Sequence, residues 1–290
     1  MTSPVRRVVS APAEPDTSTP FGERRAGKLT TGFWSLTLDP RLVREDRKRL
    51  RKRHGARFAG PFDVEVDGLR FRAYPAENRD DRALLGRRAL PEPDERALLL
   101  PFLEPGMVFV DVGANIGTYP AWVARHAGPG ARVIAFEPHP RTFAKLVFNM
   151  GANGFGNVVC ENLAIAGEEG EMELFSDGGG NIGHASLLRE GAGTVRASET
   201  VKVAPLAATL ADMGVARVDL LKIDVEGFED RALLPLFDQA PEALWPRAIL
   251  IETVLAHLWE TDCLAALEAR GYRRAGETAE NVLMAREADG

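Results

Sequence analysis

The stretch FVDVGANIGTYP, residues 109–120, decides how the rest of the chain is interpreted. It joins an apolar run of strand length to a segment of helical pattern, and the connection between them contains Gly113 and Gly117. Glycine permits positive φ angles and lets a ligand approach the main chain, and the next helix begins with free N–H groups. The stretch therefore predicts a ligand-binding turn after the first strand of an α/β sheet.

Further along the chain, apolar runs of strand length alternate with helical segments, so that each strand is followed by a helix or a turn. The predicted strands are MVFVDVG (107–113), ARVIAFEP (131–138), NVVCENLAI (157–165), VDLLKIDVEG (218–227) and RAILIETV (247–254), with YRRAG (272–276) and NVLMAR (281–286) as a closing pair. Such alternation is typical of βαβ units and of a parallel sheet that is buried on both faces.

The sequence before this pattern divides into two parts. Residues 1–28 are rich in Pro, Ser, Thr and Arg and predict a flexible tail. Residues 29–90 predict a helical segment and a β-hairpin that turns at Asp67-Gly68, leaving residues 91–290 for the main domain. The basic run at 42–58 is interpreted as a solvated helix face, with a surface for an anionic partner as the alternative.

Composition limits the partners. The formal net charge of −6 argues against a nucleic-acid partner, because phosphate binding needs concentrated Lys and Arg. No apolar run approaches the roughly 20 residues of a membrane helix. Two cysteines, Cys160 and Cys263, show no metal or disulfide spacing, so we expect free thiols and a cytoplasmic protein. A homo-oligomer remains open.

An acid after the second strand complements the glycine turn. Glu137 ends that strand, where a carboxylate can accept hydrogen bonds from ribose hydroxyls, so the pair predicts an adenosine ligand. A dinucleotide would need a second glycine where Asn115 stands, and Asp111 would oppose a pyrophosphate. The same acid suits the cationic amino group or the sulfonium of S-adenosylmethionine, so charge favours the methyl donor.

Four motifs, in this order, carry a family resemblance. The stretches VFVDVGANIGTYPAWVAR (108–125), VIAFEPHPRTFAKLVFN (133–149), NLAIAGEEGEMELF (162–175) and VDLLKIDVEGFEDRALL (218–234) resemble the FkbM-type family of S-adenosylmethionine-dependent methyltransferases. The resemblance covers about residues 91–286. It implies a Rossmann-like seven-stranded sheet, mostly parallel, with one antiparallel strand at the edge and helices on both faces, and it implies O-methylation of a sugar or natural-product hydroxyl.

The resemblance also implies roles for individual residues. The residues expected to bind S-adenosylmethionine are Asp111, Gly113, Ala114, Asn115 and Gly117 at the methionine part, Glu137 at the ribose, Asn162 and Ala164 beside the adenine, and Asp224 next to the transferring methyl group. Glu226 and Gly227 share the motif of Asp224, and Glu252 matches a recurrent acid of the family.

The expected catalytic residues are Asp224, Glu226 and His257. Methylation of an alcohol requires a base, and we expect Asp224 or Glu226 to take the proton. The alternative for Asp224 is a structural cap of the following helix. Three acids, Asp224, Glu226 and Glu252, could in principle hold Mg²⁺, but the spacing does not require it, and no metal is predicted.

The glycine-rich segment SDGGGNIGHASLL (176–188) is the remaining feature. It either closes over the acceptor with His184 or Ser186 near it, or it is a plain surface loop. Two other functions stay open. A nucleic-acid methyltransferase is disfavoured because Asp-Val-Glu-Gly stands where such enzymes have Asn/Asp-Pro-Pro-aromatic, and a non-catalytic S-adenosylmethionine-binding regulatory protein is disfavoured by the intact motifs.

Overall fold

The computed structural model describes residues 14–177, 182–193 and 195–286. The helices of this part are α1 (Lys28–Leu36), α2 (Arg44–His54), α3 (Arg79–Arg87), α4 (Pro93–Leu99), α5 (Thr118–Ala127), α6 (Pro140–Asn153), α7 (Leu206–Asp212), α8 (Glu229–Gln239) and α9 (Cys263–Ala269). The strands are β1 (Phe62–Val66), β2 (Leu69–Ala73), β3 (Val108–Val112), β4 (Arg132–Phe136), β5 (Val158–Glu161), β6 (Ala164–Ile165), β7 (Gly170–Ser176), β8 (Ala197–Ala204), β9 (Leu220–Ile223), β10 (Ala248–Glu252), β11 (Arg273–Glu277) and β12 (Asn281–Ala285).

Seven of these strands form the main sheet, in the order β11-β12-β10-β9-β3-β4-β5. The strands are parallel except for β12, which is antiparallel to both β10 and β11. The fold prediction is confirmed, but its expectation of an antiparallel strand at the edge is wrong. Because β11 and β12 are joined by a short turn, they pair antiparallel, and β12 is the one that reaches β10, which leaves β11 at the edge.

Strand order reverses between β3 and β9, and this reversal positions the site. From β3 the sheet continues through β4 to β5, whereas from β9 it continues through β10. Val112 of β3 is in register with both Ile223 of β9 and Phe136 of β4, so the three strands end side by side. Ligands of open α/β sheets bind beyond the carboxyl ends of the strands at such a reversal.

Both faces of the sheet are covered by apolar side chains. Alternate residues of β3 point to opposite faces: Phe109 packs with residues of α5, α6 and the hairpin β1-β2, and Val110 packs with residues of α7, α8 and α9. The strands are therefore buried on both sides, as their continuous apolar runs predict.

A second, three-stranded sheet was not predicted from the sequence. The predicted strand 157–165 divides: β5 stays in the main sheet, whereas β6 joins β7 and β8 in the order β6-β8-β7. β7 and β8 pair antiparallel from Gly170–Val203 to Ser176–Ala197. Residues 178–181 of the glycine-rich segment lie outside the described residues.

Arg72 attaches the beginning of the described chain to the hairpin. Its buried guanidinium donates to the carboxylate of Asp63 at 2.8 Å and to the main-chain oxygens of Asp16 and Thr19 at 2.9 and 2.8 Å. Asp63 in turn accepts the main-chain N–H of Gly22 at 2.6 Å. Residues 16–22 are thus held by hydrogen bonds, and the predicted boundaries at 28 and 90 stay a prediction.

Candidate active site at the sheet reversal

Two adjoining cavities open at the carboxyl ends of β3, β4 and β9. One, the apolar cavity, is lined by Leu163, Ala164, Leu174, Leu187 and Phe228, and also by Glu137. The other, the polar cavity, is lined by seven acids, among them Asp80, Glu92, Asp111, Asp224, Glu226 and Glu252. Each encloses about 600 Å³ including its open mouth (630 and 610 Å³). Gly113, Asn115, Asp224 and Glu226 line both.

Gly113 stands where no other residue fits. Its φ is +87°, and a Cβ atom there would lie 2.0 Å from the main-chain oxygen of Asp224. Gly117 has φ +89°, and a Cβ there would meet Leu146 and Met150 of α6 at 2.6 and 2.7 Å. Gly117 therefore allows close packing of the turn against α6.

Asn115 connects the turn to the rest of the site. It adopts a left-handed conformation with φ +50°, and its N–H donates to Glu137 Oε2 at 2.9 Å. Its side-chain oxygen accepts from Asn78 Nδ2 at 2.7 Å, and its Nδ2 donates to Asp80 Oδ2 at 3.2 Å. The glycine turn is therefore locked to the acid after β4 on one side and to the start of α3 on the other.

Both carboxylate oxygens of Glu137 accept main-chain N–H groups. Oε2 accepts from Asn115 and Oε1 from His139, each at 2.9 Å. Burial raises the pKa of Glu137 to about 7. Asn162 donates to the main-chain oxygens of Glu137 and Pro138, each at 2.9 Å, so it fixes the end of β4, while Ala164 lines the apolar cavity itself.

Asp111, Lys222 and Asp224 form a charged row beneath the polar cavity. Asp111 and Lys222 are neighbours in the β3–β9 register, and Lys222 Nζ lies 3.9 Å from Asp111 Oδ1 and 3.1 Å from Asp224 Oδ2. Burial opposes the charge of Lys222, but the two carboxylates outweigh it and raise its pKa. Among the described residues, neither oxygen of Asp111 has a hydrogen-bond partner, and burial raises its pKa to about 7.

Three acids that line the polar cavity lie close together. Carboxylate oxygens of Asp224, Glu226 and Glu252 lie within 4.8 Å of one another, a spacing that a divalent cation could bridge. Two of these acids already have basic partners, Lys222 for Asp224 and His184 for Glu226. Burial and the neighbouring acids raise the pKa of Glu252 to about 10. That no metal binds stays a prediction.

The structure brings His184 to the site and leaves His257 away from it. His184 Nδ1 lies 2.7 Å from Glu226 Oε1, and His184 lines the polar cavity. His257 is exposed in a short 3₁₀ turn and lines neither cavity, because Leu255 and Leu258 of that turn face Gly227. The predicted catalytic role of His257 is not supported by this geometry.

Several residues of the polar cavity were not predicted. Asn78 and Asp80 belong to the start of α3, Glu92 immediately precedes α4, and Lys222 lies inside a buried strand. Only Lys222 carried a local signal, since a lone cation in an apolar strand needs a charged partner. The other three reach the site through long-range folding.

Comparisons with known proteins agree with this geometry. Residues 111–273 match the family model described as the methyltransferase FkbM domain. The 31-O-demethyl-FK506 methyltransferase FkbM of Streptomyces tacrolimicus is 32% identical over 59% of this chain and 74% of its own. The hexuronic acid methyltransferase AglP of Haloferax volcanii is 30% identical over 48% of this chain and 53% of its own.

A solved structure, the SAM-dependent O-methyltransferase of Thermotoga maritima, aligns with 69% of this chain and 67% of its own, at a TM-score of 0.39 and 11% identity. At that TM-score the likeness carries no weight for function.

In the described part of the chain, no helix is long and apolar enough to cross a membrane.

Proposed function

Because this chain belongs to the FkbM methyltransferase family, we propose that it transfers the methyl group of S-adenosylmethionine to a hydroxyl group of a sugar or natural product. The observation that carries the proposal is the sharing of Gly113 and Asp224 by an apolar and an acidic cavity. A ligand with an adenosine at one end and a cationic amino acid at the other matches both.

The apolar cavity fits the adenosine part. Leu163, Ala164, Leu187 and Phe228 offer flat apolar contact to a base. Glu137 is held by two main-chain N–H groups, and its oxygens keep lone pairs for ribose hydroxyls.

The polar cavity fits the methionine part. Asp111 supplies a buried carboxylate without a hydrogen-bond partner in the described structure, which a cationic amino group would satisfy. Thr118 and Tyr119, at the start of α5, also line this cavity, and a helix N-terminus favours a carboxylate.

S-adenosylmethionine supplies a methyl group already activated by a positive sulfur. The chain's own part is to hold the acceptor oxygen in line and to receive its proton. Asp224 and Glu226 stand at the junction of the two cavities, where the methyl group would be presented, and one of these acids, or a base held by them, takes the proton.

The acids also select the acceptor. Seven carboxyl groups line the polar cavity, and its basic residues are Lys222, Arg79 and His184. The acids are Asp80, Glu92, Asp111, Asp224, Glu226, Glu252 and Glu280, of which Glu252 is protonated at neutral pH because its pKa is raised to about 10. A negatively charged acceptor would be repelled by this lining. We therefore propose a neutral or cationic hydroxyl acceptor, in contrast to the hexuronic acid in the name of AglP.

The test is methyl transfer by the purified chain. S-adenosylmethionine labelled in its methyl group is offered with methyl glucoside, methyl glucosaminide, methyl glucuronide, catechol and 31-O-demethyl-FK506. We expect labelled product from at least one neutral or cationic hydroxyl and none from the glucuronide. Binding of S-adenosylmethionine without transfer to any acceptor would support the non-catalytic alternative, and preference for the glucuronide would contradict the charge argument.

A further inference from the structure

Residues 182–193 contact Glu226 in three separate ways. His184 Nδ1 lies 2.7 Å from its carboxylate, and Ser186 Oγ donates to its main-chain oxygen at 2.8 Å. Gly191 packs so closely that a Cβ there would lie 2.1 Å from the same oxygen. This segment is therefore built around one residue of the site.

His184 is fixed on both sides. Ser186 and Phe175 exchange main-chain hydrogen bonds of 2.8 and 3.0 Å, which continue the edge of the second sheet. On the other side, Gly183 lies against the side chains of Asn78 and Asn115, where a Cβ would meet both at 3.1 Å. A histidine between two such anchors has a defined position over the polar cavity.

The hydrogen bond at Nδ1 determines the role of the other ring nitrogen. When the neutral ring donates Nδ1–H to Glu226, Nε2 carries the lone pair and can accept a proton. The side chain of His184 is 45% exposed, so a ligand can reach the ring. The charged groups around it are Glu226, Asp224 and Arg79, and the hydrogen bond with Glu226 raises the pKa of His184.

We propose that His184, oriented by Glu226, is the general base that takes the proton of the acceptor hydroxyl. The proposal rests on the proposed methyl transfer and names its catalytic residue. The acceptor oxygen forms a bond to the methyl carbon, the carbon–sulfur bond breaks with its electron pair going to sulfur, and the hydroxyl proton goes to Nε2 of His184. The imidazolium then loses this proton to solvent.

Glu226 is thereby a positioning residue instead of the expected base. Its carboxylate is occupied by the imidazole, and its own left-handed conformation, with φ +56°, is uncommon for a residue other than glycine. A carboxylate that orients an imidazole, which in turn deprotonates a hydroxyl, is an arrangement that general-base catalysis uses on unrelated folds.

The experiment compares wild type, His184→Gln and Glu226→Gln, with His54→Gln as a control on the exposed face of α2. Turnover is measured with the acceptor that the panel of the previous section yields. We expect His184→Gln to lower kcat by about 10²–10⁴-fold. It should also remove the fall in kcat at acid pH that protonation of the base causes in the wild type. The dissociation constant of S-adenosylmethionine should change less than about threefold.

A second readout does not depend on activity. Proton–nitrogen NMR follows the titration of the five histidines, and His184 is assigned by its absence from His184→Gln. In Glu226→Gln the pKa of His184 should fall, because the hydrogen bond to a charged carboxylate is lost. The His54→Gln control should leave the titration of His184 and kcat unchanged.

The outcomes separate the two proposals. Normal kcat and an unchanged pH profile in His184→Gln would overturn the role of His184 while methyl transfer by the wild type stands. An unchanged pKa of His184 in Glu226→Gln would overturn the pairing. If the wild type transfers no methyl group to any acceptor, the base role is overturned together with the proposed function, and the NMR titration still decides on the pair.

Discussion

The two cavities adjoin each other, but acids that line them differ in their hydrogen bonds. In the apolar cavity, both oxygens of Glu137 accept main-chain N–H groups. In the polar cavity, Asp111 has no hydrogen-bond partner among the described residues, and a Glu252 oxygen likewise has none. Leaving a buried carboxylate without hydrogen-bond partners costs stability, and a ligand that supplied the partner would recover that cost. The chain itself supplies partners for both oxygens of Glu137, whereas both oxygens of Asp111 stay open to a ligand.

The largest effect is expected from a substitution of Gly113, which lines both cavities. Gly113→Ala places a Cβ 2.0 Å from the main-chain oxygen of Asp224 at a φ of +87°, so the turn must shift. We expect no measurable binding of S-adenosylmethionine by calorimetry. The matched control is Gly154→Ala, which has a φ of +71° with open space around it and should bind normally. Equal binding by both variants would contradict the account of the turn.

The second-largest effect is expected on turnover, from a substitution of Asp224, which also lines both cavities. Asp224→Asn removes the charge beside Lys222 and should lower kcat by at least about 10²-fold, because the amide no longer balances the lysine at the transfer point. Binding of S-adenosylmethionine should weaken by less than about tenfold. Steady-state kinetics measures both, with the exposed Asp212→Asn as control. Near-normal turnover of Asp224→Asn would show that Asp224 has only a structural role beside Lys222.

Asp111, which has no hydrogen-bond partner among the described residues, should also make the stability of the fold depend on pH. Burial raises the pKa of Asp111 from 3.8 to about 7, with Asp224 and Glu92 adding to the shift and Lys222 opposing it. Between these values the folded chain binds more protons than the unfolded chain, so stability is greatest at low pH and falls as pH rises. For this group alone the loss from pH 5.5 to 7.5 is about 2 kcal/mol.

Urea denaturation of the ligand-free protein measures this loss. Asp111→Asn cannot ionise, so its free energy of unfolding should fall less steeply with pH than that of the wild type. Asp80 and Glu137, whose pKa values burial also raises to about 7, keep part of the slope in both proteins. Parallel slopes in wild type and Asp111→Asn would contradict an unsatisfied acid at this position.

The smallest effect is expected from a substitution of Glu137, the acid of the apolar cavity whose oxygens already accept main-chain N–H groups. Glu137→Gln keeps the shape of the side chain and one acceptor oxygen. Its amide nitrogen can no longer accept the second main-chain N–H, and the charge-assisted bonds to the ribose are lost. The dissociation constant of S-adenosylmethionine should rise about tenfold, or about 1.4 kcal/mol, with kcat nearly unchanged. Glu161→Gln, at the end of the neighbouring strand, is the control. A large fall in kcat with unchanged binding would reverse the roles of the two cavities.

The same contrast explains what the sequence could predict. The glycine turn, Glu137 and Asp224 were placed from sequence because each follows a strand whose apolar run is visible locally, and parallel strands bring their ends together. The start of α3 at Asn78 and the pairing of His184 with Glu226 are contacts across long stretches of chain, which no local pattern encodes. The second sheet was missed for a related reason: β7 and β8 are partly exposed and polar, and their pairing joins distant segments.

The most direct test of the account is isothermal titration of the purified chain with S-adenosylmethionine and, separately, with NAD⁺. We expect one site per chain for S-adenosylmethionine, weakened by Asp111→Asn and by Glu137→Gln, and no heat from NAD⁺, since the acidic floor of the turn opposes a pyrophosphate. Absence of binding by S-adenosylmethionine, or binding of NAD⁺ in its place, would contradict the assignment of the two cavities.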